Sequence, residues 1–140
     1  ARYKRQFAND NLDPTERFAL GGPQGVRAFS PGEAAVDDGQ VISAELRFLP
    51  PGSWFGPVSR ELMFNLFYDW GHGKISHTGD SLPWGERNQV VLGGWGLGAT
   101  WDRPGDFSVR LDLAWRNIGE GQPAVNRQEP RANAVLTKQF

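Results

Sequence analysis

Residues 106–116 read Asp106-Phe107-Ser108-Val109-Arg110-Leu111-Asp112-Leu113-Ala114-Trp115-Arg116, and the fold follows from this stretch. Every second residue from Phe107 to Trp115 is apolar, whereas Ser108, Arg110, Asp112 and Arg116 share the other parity with Ala114. A period of two puts these sets on opposite faces of a β-strand, and an α-helix would mix them. A slip of one residue would carry Arg110 and Asp112 onto the apolar side, so the facing is strongly specified.

The pattern repeats along the chain. Residues 40–49 place Ile42, Ala44, Leu46 and Phe48 opposite Ser43, Glu45 and Arg47. Residues 60–70 place Leu62, Phe64, Leu66, Tyr68 and Trp70 opposite Glu61, Met63, Asn65, Phe67 and Asp69. Residues 88–101 carry Val91, Trp95, Leu97, Ala99 and Trp101 on one parity, and Gly94, Gly96, Gly98 and Thr100 on the other. Weaker alternation at residues 2–8 and 131–140 completes six expected strands in one unit over residues 1–140, with no helix, repeat or linker.

The connections, residues 9–39, 50–59, 71–87, 102–105 and 117–130, alternate long and short. Long loops at one end and short turns at the other characterise transmembrane β-barrels, and soluble sandwiches need no such segregation. Phe107 to Trp115 spans eight steps, about 26 Å at the strand rise and close to the ~25 Å apolar band of such barrels. Tyr68, Trp70, Trp101, Phe107 and Trp115 stand near strand ends, as interfacial girdles do. The competing fold is a soluble barrel or sandwich with a Trp-rich core, and a further alternative is a soluble β-sandwich module that binds carbohydrate through exposed Trp residues.

Composition narrows the function. The 140 residues include 18 Gly and 10 Pro, one in five, which excludes a long helical bundle. Without Cys there is no disulfide framework, thiolate zinc site or CxxC chemistry. With 15 Lys+Arg against 16 Asp+Glu, the chain lacks the basic surface that nucleic acid requires. A mean hydropathy of −0.51 fits a barrel whose loops and wet lumen dilute the average. No apolar run reaches the ~18 residues of a membrane helix. The start, Ala1-Arg2-Tyr3-Lys4-Arg5, has neither Met nor an apolar signal core and reads as a chain entered midway.

Signatures of catalysis are missing: there is no GxSxG, HExxH or Walker loop, and Tyr68 stands where a Walker loop ending at Gly73-Lys74 needs its first Gly. His72 and His77, five apart in a Gly-rich loop, read as solvated rather than as ligands. No catalytic residue, metal or cofactor is expected. The segment 9–39, some 31 residues, is far longer than an ordinary loop and therefore a functional candidate. Phe18, Leu20, Val26 and Phe29 within it seek burial, so this loop must dock, and in a barrel the available wall is the lumen.

The motifs occur in a recognisable order. Phe18-x-Leu20-Gly21-Gly22 precedes Val26-Arg27-Ala28-Phe29, Pro31-Gly32-Glu33-Ala34 and Ala44-Glu45-Leu46-Arg47. Phe67-Tyr68-Asp69-Trp70-Gly71, Gly96-Leu97-Gly98 through Trp101, Pro104-Gly105, Phe107, the run Arg110 to Trp115 and a terminal Phe140 follow. Together they resemble the C-terminal region of the ShlB/FhaC/HecB hemolysin secretion/activation family, outer-membrane transporters of two-partner secretion in the Omp85 superfamily.

The resemblance implies an all-β fold: an antiparallel meander of about six transmembrane strands, the C-terminal part of a sixteen-stranded outer-membrane β-barrel preceded by POTRA domains. It implies that the long loop folds into the lumen, with Val26, Arg27, Ala28 and Phe29 as its tip. Asp69 of the Phe67-x-Asp69-x-Gly71 motif would be Arg27's partner on the wall. Ala28 replaces the superfamily Gly, so its backbone is expected outside the Gly-only region. Parity adds Glu45, Arg47, Asn65, Arg110, Asp112 and Arg116 as lumen-facing candidates for substrate contact. Phe140 would be the C-terminal signal read by the barrel assembly machinery, although Lys138 stands where that signature prefers an apolar residue. The implied partners are a secreted exoprotein of hemolysin or adhesin type, the assembly machinery and outer-membrane lipid, with no nucleic acid. An Omp85-type assembly factor is the nearer alternative. Six strands also leave two open edges. The 140 residues are therefore a fragment of a longer chain, one of several combining copies, or a chain that folds differently alone.

Overall fold

The computed structural model describes residues 1–78, 87–120 and 130–138. In chain order the strands are β1 (Arg2–Gln6), β2 (Phe18–Ala19), β3 (Ala35–Val36), β4 (Asp38–Phe48), β5 (Leu62–Lys74), β6 (Gln89–Arg103), β7 (Phe107–Glu120) and β8 (Arg131–Lys138). An antiparallel sheet runs β1-β4-β5-β6-β7-β8, and β2 pairs with β3 as a separate ribbon inside the long loop. The all-β meander of six main strands is therefore present. No described helix is long and apolar enough to cross a membrane.

Parity decides the two faces. Leu46, Leu66, Leu97, Leu111 and Leu113 lie on the exposed side, with Leu46 73% and Leu111 52% accessible. The opposite parity carries the core: Val41, Phe67, Leu92 and Ala114 pack under Leu20, Val26, Ala28, Phe29 and Val36 of the long loop. An apolar set that faces outward, with the polar parity buried beneath a loop, is the reverse of a sandwich, in which apolar faces meet. Residues aligned across the strands form an aromatic row on the outer side: Tyr68 pairs with Trp95 and Trp95 with Trp115. The Trp95 and Trp115 rings stack at 4.8 Å.

Several boundaries differ from the sequence reading. β5 runs on to Lys74 and β7 to Glu120, so the sheet continues past Trp70 and Trp115 instead of ending at them. In β7 the alternation breaks at Asn117: Gly93 pairs with Ile118 and Gly94 with Arg116, leaving Asn117 as a bulge. One extra residue reverses the parity beyond it, and Ile118 turns to the outer face. His72 is a strand residue stacked on Trp70 rather than a loop residue, and His77 pairs with Asp38 at 2.6 Å. The connector after β4, read as a plain loop, contains helix α1 (Gly52–Phe55) and a 3-10 turn over Gly56–Arg60. Phe140 lies outside the described residues.

Candidate functional site

The tip of the long loop is a run of tight turns. Val26 N–H donates to the Leu20 carbonyl at 2.7 Å, Gly22 N–H to Val26 at 3.2 Å, and Phe29 N–H to Val26 at 3.1 Å. Gly25 allows this fold-back, because a Cβ there would collide with the Leu20 backbone. Ala28 has no left-handed φ, so Ala is tolerated at that position; Ala34 does adopt one, at 57°. The base of the loop is fastened by Arg17 to the buried Asp37 at 3.1 Å.

The tip crosses the strands along one cross-strand row, one residue per strand. Arg27 meets β5: its Nε lies 2.8 Å and its Nη2 2.9 Å from the two Asp69 oxygens, and its own N–H donates to Asp69 at 3.1 Å. The guanidinium covers the Phe67 ring at 3.4 Å and reaches Glu45 of β4 at 3.3 Å, with Asp112 at 3.9 Å. Ala28 meets β6, filling the place a side chain at Gly94 would take. Phe29 meets β7 under the Arg116 guanidinium, 4.4 Å from its centroid. Arg116 Nε donates to the Ala28 carbonyl at 2.9 Å, and its Nη2 sits 2.8 Å from Glu33. Arg131 and Asn133 of β8 complete the crossing, donating to Ser30 Oγ and to the Arg27 carbonyl.

Arg27 is 4% accessible and Asp69 is fully buried. Burial alone lowers the Arg27 pKa; the Asp69 bond and the charges of Asp69, Asp112 and Glu45 outweigh it and raise the pKa, so the guanidinium stays charged. A forked, desolvated pair of this kind costs about 3–5 kcal/mol when one partner is removed, because a buried charge is stranded. Gly71 admits Val26 and Leu20, and Gly73 admits Val36, where any Cβ would intrude.

Residues 1–101 match the family described as haemolysin secretion/activation protein ShlB/FhaC/HecB. This chain belongs to that family. ShlB/FhaC/HecB proteins are outer-membrane transporters of two-partner secretion, and the outer membrane is the location of this chain. The heme/hemopexin transporter protein HuxB of Haemophilus influenzae strain 86-028NP is 34% identical over 110 residues, 78% of this chain and 19% of the relative. HuxB of strain ATCC 51907 / DSM 11121 / KW20 / Rd gives the same identity and coverage. The chain thus spans about a fifth of the relatives it matches. No solved structure matches it.

Within this ShlB/FhaC/HecB chain, the structure brings Val26, Arg27, Ala28, Phe29, Phe67, Asp69 and Gly71 together at one seat. Glu45, Asp112 and Arg110 form a linked polar group beside it, with Arg110 2.9 Å from Asp112 and 3.6 Å from Glu45. Arg47 is mostly exposed and pairs with Glu45 at 2.9 Å. Asn65 is buried over Gly98 beside Asp112, and Arg116 is occupied by the loop, so neither offers a free contact surface. Gly94, Gly96 and Gly98 share one parity but form no continuous groove for the loop: the Phe67 ring covers Gly96, side chains of Asn65 and Asp112 cover Gly98, and the loop takes Gly94 alone of the three. Glu33, Arg131 and Asn133 were missed as loop-holding residues. Glu33 stood inside the Pro31-Gly32-Glu33-Ala34 motif, but no local signal paired it with Arg116 from 83 positions away.

Proposed function

We propose that the chain is the C-terminal part of a sixteen-stranded barrel that exports an unfolded exoprotein of hemolysin or adhesin type, with the long loop as its inward-folded gate. The observation carrying this reading is Arg27, a buried cation on the loop tip, forked onto the buried Asp69 of the wall opposite the apolar face. The named role of the HuxB relatives, transport, supports the same direction. The polar group Glu45, Arg110 and Asp112 lines a cavity of about 340 Å³ beside the loop, and these side chains are the proposed first contacts for an extended chain. The work needs no catalytic residue, metal or nucleotide: export requires the loop to leave or shift on its seat. Phe140 serves as the assembly signal, and the assembly machinery and outer-membrane lipid are its partners.

The test is secretion by the full-length transporter carrying Arg27→Ala or Asp69→Ala, measured with transporter abundance in the outer membrane. Reduced exoprotein release at near-normal abundance is expected. Normal release by both variants would sink the gate.

A further inference from the structure

We propose that the connector over residues 49–60 is an interfacial anchor, seated in the headgroup region of the phospholipid leaflet at the short-turn end of the sheet. This goes beyond the gate and rests on the outward face being the lipid face. Two adjacent strands of a barrel need only a short turn here, as Pro104-Gly105 provides between β6 and β7. The β4–β5 connection instead builds a folded element, closed by Trp54 N–H to the Pro51 carbonyl at 3.0 Å and by the buried Ser59 hydroxyl to the same carbonyl at 3.0 Å. A fixed fold holds Leu49, Trp54 and Phe55 in the open, at 70%, 64% and 46% accessible.

The direction of the connector selects the occupant. Trp54 packs its ring on Phe48 at 5.7 Å, and Phe55 on Phe64 at 6.3 Å. Phe48 and Phe64 are register partners of the outward parity, so the connector continues the lipid face and does not turn under the loop seat. Trp101 and Phe107, in edge contact at 5.0 Å, extend the same girdle, and Arg103 lies over both rings. Aromatic rings with a polar edge beside exposed arginines suit the boundary between acyl chains and phosphates. An aqueous domain would have no reason to follow the outward parity of the strands.

The experiment uses the full-length transporter in vesicles of phosphatidylethanolamine and phosphatidylglycerol. Nitroxides are placed through Trp54→Cys and Phe55→Cys, with Leu66→Cys marking the outward face and Asp106→Cys the neighbouring turn. Collisions with oxygen and with an aqueous nickel chelate are compared. An oxygen-to-nickel ratio several-fold higher at 54 and 55 than at 106, and lower than at 66, is expected. A ratio equal to that at 106 overturns the anchor in favour of water, and low collision with both reagents overturns it in favour of a covering protein. A water-like ratio at 66 would instead defeat the lipid-face reading on which the anchor rests.

Discussion

Asp69 and Arg116 stand in one cross-strand row, with Gly94 between them, and each holds the loop from its own side of that gap. Asp69 takes the Arg27 guanidinium, Arg116 takes the Ala28 carbonyl and Glu33, and the methyl of Ala28 sits over Gly94 in the middle. The loop therefore has two charged fastenings of opposite polarity: in one the cation comes from the loop, in the other from the wall. Undocking the loop from the sheet must release both.

Arg116→Ala should weaken the second fastening by about 1–3 kcal/mol, less than the buried fork, because Glu33 retains some solvent. Limited trypsin digestion at Arg17 in assembled transporter reads loop release. Little added cleavage is expected in either Arg27→Ala or Arg116→Ala, and rapid cleavage in the double variant. Equal cleavage in all three would refute independent fastenings.

Gly94→Val should destabilise the docked loop by about 1–3 kcal/mol, since its side chain must displace Ala28. Gly52→Ala, with open space around its Cβ, is the matched control and should leave the denaturation midpoint unmoved. A Gly94→Val midpoint equal to that of the control would mean that the loop does not occupy this seat.

Ala28→Gly should not improve the tip. The Ala28 backbone needs no left-handed φ, and losing the methyl from the Gly94 niche removes about 0.8 kcal/mol of burial. Denaturant midpoints of the two proteins check this, and a clear gain for Gly would contradict the observed backbone.

Glu61, just before β5, accepts from the Trp101 indole at 2.8 Å and pairs with Arg103 at 3.4 Å. The indole bond first, then the Arg103 charge, hold its carboxyl below the ordinary glutamate range. A depressed folded pKa means that its contribution is present above the unfolded value and is lost as pH falls through the folded one. The Trp101 indole resonance should therefore shift only in acid, below the ordinary glutamate midpoint, and Glu61→Gln should abolish that titration. A shift near neutral pH would refute the assignment.

Much of the architecture was legible because it rests on local parity. Ser43, Asn65, Asp69 and Asp112 could be placed on one face, and Leu66, Leu97 and Leu111 on the other, from position alone, and the covered and exposed sets agree. The strand ends beyond Trp70 and Trp115 were not legible. Gly71 and Gly73 looked like a loop because their function is to be empty beneath Val26, Leu20 and Val36, which only the folded loop reveals. Past Arg116, the Asn117 bulge interrupts the alternation on which the strand reading depends.

The sequence by itself determined the meander and its two-faced strands, since a period of two is a covalent property of the chain. The family motifs likewise picked out Arg27 and Asp69 as expected partners. Tertiary structure decided that Arg27, Ala28 and Phe29 address β5, β6 and β7 in turn, and that Arg116, Glu33, Arg131 and Asn133 share the hold. Those contacts join residues up to 106 positions apart, and they depend on where the sheet register sets each side chain under the crossing loop.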